Sequence, residues 1–98
     1  MEVFQPLADF YTAVTEDVRM GPTHISLYIA LLHRWNMEGG NPIVITREGV
    51  MKSARIKARH TYHKCMRELH CYGYIKYQPS SHPSVGSMVL LLPLKAGA

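Results

Sequence analysis

The feature that most constrains the fold of this 98-residue chain is an amphipathic stretch from Ala58 to Tyr72. Apolar side chains recur in it at the i, i+3, i+4 and i+7 spacing of one helix face; they are Tyr62, Cys65, Met66 and Leu69. Gly73 follows at once, and glycine commonly ends a helix because it adopts left-handed backbone without strain. The stretch therefore predicts a helix with one buried face, which must pack against other elements of the same domain.

A shorter helix is predicted just before this one. Thr46 is a candidate N-cap, because its hydroxyl can accept a hydrogen bond from a first-turn amide, and the helix would run from it through Ala54. Ile56 then lies in a tight connection to the longer helix. Residues 46–73 are thus predicted to form a helix-turn-helix, an arrangement whose second helix often enters the major groove of DNA.

Two further helices are predicted toward the N-terminus. Apolar residues at mostly helical spacing over residues 3–19 predict a first helix within residues 1–20. Thr23 is a candidate N-cap for a second helix, whose apolar stripe continues to Trp35 before a glycine-containing loop that begins at Met37. This stripe predicts that Trp35 lies in the core.

A short strand and a hairpin complete the prediction. Ile43–Ile45 is β-branched and too short for more than one small strand. Tyr74–Gln78 and Met88–Leu92 are predicted as the strands of a hairpin over residues 74–92, with a long polar tip. We therefore predict one domain over residues 1–98, mainly α with a small β-hairpin (α+β). The element order is that of a winged helix-turn-helix with an extra N-terminal helix, and the hairpin is the wing.

Positive charge is concentrated in one part of the chain. The net charge is +4, yet residues 1–46 hold two arginines against five acidic residues, a net −3. Residues 47–76 hold eight lysines and arginines against two acidic residues, a net +6. Such an asymmetry indicates a surface that faces a polyanion, and a solvated basic face without a partner is the alternative.

The outward face of the 58–72 helix carries many of these charges. Helix geometry places a set of mostly cationic or proton-donating side chains opposite the apolar face; the set is His60, His63, Lys64, Arg67 and Cys71. Residues at the start of the helix are predicted to contact base edges, with Lys64 one turn further along; they are Lys57, Arg59, His60 and Thr61.

Phosphate contacts are predicted from three places. Arg67 lies farther from the helix start and suits phosphate better than a base. Unpaired backbone amides at the start of the shorter helix, around Thr46 and Arg47, are natural phosphate ligands. In the hairpin, Lys76, Ser81 and His82 suit sugar–phosphate or minor-groove contact. Lys76 is the only charge on the first hairpin strand, so the electrostatic contribution of the hairpin is expected to be small.

Catalysis and metal binding are not favoured by the sequence. No pair of acidic residues flanks a nucleophile, and the phosphate loop, GxSxG and HExxH motifs are missing, so we predict that the chain is not an enzyme. His60, Cys65, His70 and Cys71 are close in sequence, but helix phase separates Cys65 from His60 and Cys71, and CxxC spacing does not occur. We expect no metal, no cofactor and no small-molecule ligand.

Membrane and secreted classes are likewise not favoured. No apolar run approaches the roughly 20 residues of a membrane span. The first ten residues, MEVFQPLADF, carry acidic groups where a signal peptide has basic ones. A cytoplasmic protein with reduced cysteines is the expectation.

Three segments carry a resemblance to a known group of proteins: PTHISLY from Pro22, TYHKC from Thr61 and GSMV from Gly86. Over about Tyr11 to Leu92, the chain resembles small winged-helix proteins of bacterial conjugative and other mobile elements. It is more distantly similar to the N-terminal domain of DnaD-type replication proteins and to MarR-type regulators. The resemblance implies a winged-helix fold and DNA binding. The group usually has serine where this chain has Lys57 and Ala58, so a helix cap worth about 1 kcal/mol is missing here.

The expected partner is double-stranded DNA, in the regulation of transcription or of a mobile element. The amphipathic N-terminal helix lies outside the helix-turn-helix, and added helices of this kind often pair two copies, so a homodimer that binds a pseudo-palindrome is expected. The alternative is a protein-interaction module of a replication or conjugation complex that keeps the fold without binding DNA. Single-strand binding is a third possibility, with Tyr74 and Tyr77 as a small stacking platform.

Overall fold

The structure is a computed structural model that describes residues 4–80 and 85–94. Within these residues, four helices and a three-stranded antiparallel sheet form an α+β fold, in the predicted order of elements. The helices are α1 (Phe4–Thr15), α2 (Pro22–Met37), α3 (Arg47–Ala54) and α4 (Arg59–Cys71), and the strands are β1 (Ile43–Ile45), β2 (Ile75–Gln78) and β3 (Ser87–Leu91). No described helix combines the length and the apolar character needed to cross a bilayer.

The sheet places β3 between β1 and β2, antiparallel to both. Val89 stands opposite Ile43 on one side and Tyr77 on the other, and its side chain is fully buried. At the start of β3 the chain passes so close to β1 that a Cβ atom on Gly86 would lie 2.8 Å from the carbonyl oxygen of Ile45. Only glycine fits there without a shift of the backbone.

Aromatic rings join α1 to the rest of the core. Phe10 of α1 is fully buried and stacks on Tyr28 of α2, with ring centroids 4.0 Å apart. Tyr74, just after α4, meets Phe10 edge-on, and its hydroxyl donates to Asp17 at 3.0 Å. One cluster of buried residues takes members from every helix and strand, and Trp35 packs against it half-buried. The predicted N-terminal helix is therefore part of the same core.

The first helix ends earlier than predicted. α1 stops at Thr15, four residues before the expected end at position 19. The cause lies in Asp17, whose carboxylate accepts from the backbone amide of Arg19 at 3.1 Å and from its guanidinium at 2.8 Å. Local side-chain bonds of this kind compete with helical hydrogen bonds, so residues 16–20 form turns.

The start of α2 also differs from the prediction, which placed the N-cap at Thr23. Gly21 is the N-cap and Pro22 is the first helical residue, where a missing amide hydrogen costs nothing. The backbone amide of Gly21 donates to Nδ1 of His24 at 3.0 Å. The ring of His24 thus accepts from the amide of the N-cap residue, and the N-cap residue itself has no side chain to accept from the first-turn amides.

Candidate nucleic-acid interface

The α3–turn–α4 segment is built by local signals that the sequence carries. Thr46 caps α3 as predicted, because its hydroxyl oxygen accepts from the amide of Gly49 at 3.1 Å. Arg55 ends α3 in the left-handed conformation, at a φ of 61°. Ile56 is buried in the connection, which fixes the turn against the core. The hydroxyl of Ser26 on α2 donates to the carbonyl of Ala54 and holds the end of α3 in place.

The two ends of α4 differ in how they are capped. The N-cap Ala58 makes no side-chain hydrogen bond, so no side chain caps the first-turn amides of α4. At the other end, Gly73 has a φ of 85°, which confirms it as the left-handed residue after the helix. His70 joins the last turn to the sheet, since its Nδ1 accepts from the amide of Tyr77 at 3.0 Å.

The two faces of α4 are sharply divided. The four residues predicted to face inward are at most 4% exposed; they are Tyr62, Cys65, Met66 and Leu69. The predicted outward residues lie at the surface, where Arg59, His60, Lys64, Arg67 and Cys71 are exposed and Thr61 and His63 are half-buried. Lys57 is exposed in the turn that leads into α4. The sequence therefore assigned the two faces of this helix correctly.

The cations of this region form no salt bridge among the described residues. Salt bridges among residues 4–80 and 85–94 join Arg19 to Asp17, His24 to Glu68, and Arg34 to Glu38. Within that described part of the chain, none of the lysines and arginines of α3, the turn or α4 belongs to a salt bridge. Lys64 interacts electrostatically with Glu68 one turn away, but without a direct ion pair these side chains can act on a ligand in solution.

A cleft of about 590 Å³ lies between α4 and the hairpin of β2 and β3. The start of α3 also lines it, so three elements meet there. The polar side chains that line it are Thr46, Arg47, Glu48, His63, Arg67, Ser80 and Ser87. Two arginines face one carboxylate, and low-dielectric walls strengthen the resulting positive potential. Thr46, Arg47 and Arg67, predicted separately as phosphate contacts, are thus gathered into one place.

Glu68, the only acidic residue of α4, is held away from the cationic face. Its Oε1 is 2.9 Å from Nε2 of His24, and its Oε2 accepts from the hydroxyl of Tyr72 at 3.3 Å. The hydrogen bond from His24 lowers the pKa of Glu68, so this carboxyl is ionised at neutral pH. Its oxygens contact His24 and Tyr72, so Glu68 forms no direct ion pair with Lys64, although the two charges interact one turn apart.

Of the predicted hairpin contacts, only Lys76 lies in the described part of the chain, and it does not line the cleft. Lys76 is exposed, but side chains alternate along a strand, and it lies on the opposite sheet face from Tyr77, which lines the cleft. Ser81 and His82 fall outside the described residues. In the described hairpin, Ser80 and Ser87 are the polar lining, and the amide of Ser80 donates to the hydroxyl of Ser87 at 3.2 Å.

A second cluster of reactive side chains was not foreseen. His24, Cys65 and Glu68 place one possible metal-ligating atom each within 4.8 Å of one another. The sequence grouped Cys65 with its neighbours in the chain instead, and His24 lies 44 positions before Glu68. Helix phase shows that Cys65 and Glu68 are one turn apart, but no pattern in the sequence indicates that α2 brings a histidine beside them.

Comparison of the chain with models of protein families, with curated proteins and with solved structures found no match. The function must therefore be inferred from the residues and their geometry.

Proposed function

We propose that this chain is a winged helix-turn-helix protein that binds duplex DNA, with α4 in the major groove and the β2–β3 hairpin as the wing. The observation that carries the proposal is the set of exposed cations on α4, with Lys64 and Arg67 on its outward face and Arg59 at its start, which form no salt bridge among the described residues. An α-helix with its side chains is about 10–12 Å wide, which matches the width of the major groove of B-DNA.

The positions of the side chains support distinct roles along α4. Arg59 and Lys64 have the donors that pair with O6 and N7 of guanine, and each is exposed. His60 and Thr61 follow Arg59 at the helix start, and the Thr61 methyl group suits a thymine methyl. Lys57, exposed in the turn before the helix, is proposed to contact base edges together with them.

The cleft beside α4 is the proposed path of one DNA strand. Arg47 and Arg67 supply charge to phosphates, and Thr46 leaves the other first-turn amides of α3 available, since its own hydroxyl pairs with Gly49. Contacts of this kind fix the position of the protein on the duplex and carry no sequence information. Sequence specificity then depends on the start of α4.

The test is a titration of the full chain against labelled duplex DNA over a range of salt concentrations. We expect the logarithm of the binding constant to fall linearly with that of the salt concentration, by about 0.9 for each phosphate neutralised. Lys64→Ala/Arg67→Ala should weaken binding by roughly tenfold or more. The matched control, Arg19→Ala/Arg34→Ala, removes the same charge from salt-bridged positions and should change affinity little.

Equal affinity for the wild type and for Lys64→Ala/Arg67→Ala would overturn the proposal. No affinity for DNA even at low salt would favour the protein-interaction module. Tighter binding to single strands than to duplexes would instead favour a protein that binds single-stranded DNA by stacking bases on aromatic side chains. Selection of bound sequences from a random duplex pool would then identify the site and show dimer symmetry from the half-site spacing. The proposed role of this binding is the regulation of transcription or of a mobile element in the cytoplasm.

We further propose that two copies pair through α1. Tyr11 is 50% exposed, and Phe4, seven positions earlier on the same face, is 76% exposed, whereas Phe10, about 100° around the helix, is fully buried. Exposed aromatic residues are enriched at protein interfaces. Sedimentation should detect a dimer that Tyr11→Glu dissociates, and selected DNA sites should contain inverted half-sites. A monomer at all concentrations would remove this part of the proposal.

A further inference from the structure

Behind the cationic face, α4 contributes to a compact cluster of three potential metal ligands. His24 lies in the first turn of α2, and Cys65 and Glu68 lie one turn apart on α4. Their ligating atoms are all within 4.8 Å of one another. The cluster is sheltered: Cys65 is 4% exposed, and the side chains of His24 and Glu68 are 12% and 29% exposed.

The chemistry of the three side chains selects a narrow class of cation. An imidazole nitrogen, a thiolate sulfur and a carboxylate oxygen are all zinc ligands, whereas Mg²⁺ and Ca²⁺ prefer oxygen alone. The thiolate and the carboxylate together carry two negative charges, which balance a divalent cation in a half-buried place. We propose that His24, Cys65 and Glu68 bind one Zn²⁺ ion, with a fourth position left for water.

Binding of the ion requires two of the distances within the cluster to change. Ligand atoms around tetrahedral zinc are separated by roughly 3.3–3.8 Å. The 2.9 Å contact between His24 Nε2 and Glu68 Oε1 must therefore open, and the widest pair must close. Glu68 is the most exposed of the three and can adjust through its side-chain torsions.

Proton positions also change on binding. Nδ1 of His24 accepts from the Gly21 amide, so the ring proton lies on Nε2, which faces Glu68. To bind zinc through Nε2, the ring moves this proton to Nδ1 and releases the Gly21 amide. Cys65 loses its thiol proton to solvent and binds as thiolate, while Glu68 binds as the carboxylate already present.

The ligands of the site are different residues from the proposed DNA contacts. They lie toward α2, although Glu68 is one turn from Lys64, while Arg59, Lys64 and Arg67 are exposed. Binding of Zn²⁺ with loss of the Cys65 proton changes the net charge of the site from −1 to 0, so the negative charge near Lys64 is removed. The ion would join the first turn of α2 directly to the middle of α4, and this adds a cross-link between two helices that already pack together.

The experiment is a competition titration of the reduced full chain with Zn²⁺ against a chromogenic chelator, repeated with Co²⁺ as a spectroscopic probe. We expect one ion per chain, a thiolate-to-Co²⁺ charge-transfer band, and a change in the amide NMR signal of Gly21 on loading. His24→Gln, Cys65→Ser and Glu68→Gln should each weaken Zn²⁺ binding at least tenfold, because even losing a residue that only supports a ligand has about that effect. Cys71→Ser, which changes the exposed cysteine of the same helix, should bind as the wild type does.

Three results would overturn the proposal. One is the absence of stoichiometric binding by the folded wild type. Another is a Co²⁺ spectrum without the thiolate band. The last is binding that Cys71→Ser removes and His24→Gln leaves intact, since that places the ion at the surface. If Cys65→Ser does not fold, His24→Gln and Glu68→Gln decide the question, because their side chains are partly solvent-exposed and keep similar volumes.

Discussion

Arginines of the α1–α2 region form salt bridges, whereas those of the α3–α4 region form none among the described residues. Arg19 makes a two-bond contact with Asp17, at 2.8 Å each, and its guanidinium lies 4.0 Å from the ring centre of Tyr72. Arg34 pairs with Glu38 and also donates to the carbonyl of Val44 at 3.1 Å. Arg59 and Arg67 have no salt bridge among the described residues.

Acidic residues at short spacing explain this difference. Asp17 is two positions from Arg19, and Glu38 is four positions from Arg34. On α4, Glu68 is the only acid, and His24 and Tyr72 occupy its oxygens. The same side chain is thus structural where a nearby acid pairs with it, and available to a ligand where the nearby acid is engaged by other residues. The cationic face of α4 owes its character to its cations and to the contacts that occupy the oxygens of Glu68.

The largest effect that can test this comparison concerns stability. Phe10→Ala removes a fully buried ring that stacks on Tyr28, so unfolding should become easier by about 3–5 kcal/mol. The affinity of one folded copy for a single DNA half-site should not change, because α1 carries packing and the proposed pairing of two copies but none of the proposed DNA contacts. Urea denaturation measures the first quantity, with Val18→Ala at a 99% exposed position as the control. A loss below about 1 kcal/mol would show that α1 is not part of the core.

The next effect concerns binding by an unpaired arginine. Arg59→Ala should reduce affinity for the selected DNA site by about 1–3 kcal/mol and relax the preference at one base position. Its stability should be close to that of the wild type, because the side chain is exposed. Competition binding with single-base variants of the site measures both effects. If Arg34→Ala weakened binding equally, the distinction between paired and unpaired arginines would be lost.

A smaller effect on stability, which depends on pH, is expected from the contact between Arg19 and Asp17. The hydrogen bond from Arg19 holds the pKa of Asp17 well below its ordinary value of 3.8, so Asp17 stabilises the fold above that value. This contribution is complete at neutral pH and is lost as the pH falls below 3.8 toward the lowered pKa. Asp17→Asn should therefore cost about 1 kcal/mol at neutral pH.

Denaturation of both proteins at neutral pH and near pH 3 checks this sign. The difference between the wild type and Asp17→Asn should shrink in acid. Glu16→Gln, at an exposed neighbour outside the described salt bridges, serves as the control. A difference that grows on acidification would contradict the role given to the Arg19 contact.

The smallest effect is expected at the exposed pair of α2. Arg34 and Glu38 are four positions apart with partly exposed side chains, and such pairs contribute about 0.3–0.5 kcal/mol. Arg34→Ala should lower stability by about that amount, and high salt should reduce the loss further. Thermal melting at two salt concentrations measures it. An effect above about 2 kcal/mol would mean that the bond to Val44 on β1 matters more than the salt bridge.

Local signals predicted much of this fold, and they failed where side chains competed for the backbone. Thr46 and Gly73 were recognised because a cap and a left-handed residue act within one turn of their own position. The same reasoning predicts Thr23 as the N-cap of α2. It was the wrong residue, because Pro22 takes the first helical position and the His24 ring accepts from Gly21. Propensity alone does not rank two nearby caps.

The sequence by itself determined which side of each element is buried and where the positive charge lies. Periodicity and composition are properties of a helix or strand alone, so the faces of α4 follow from spacing. The tertiary structure alone decided that Arg47 and Arg67 line one cleft and that His24 meets Glu68 from 44 positions away. The reason is that distances between elements depend on how the whole core packs, and no local pattern encodes them.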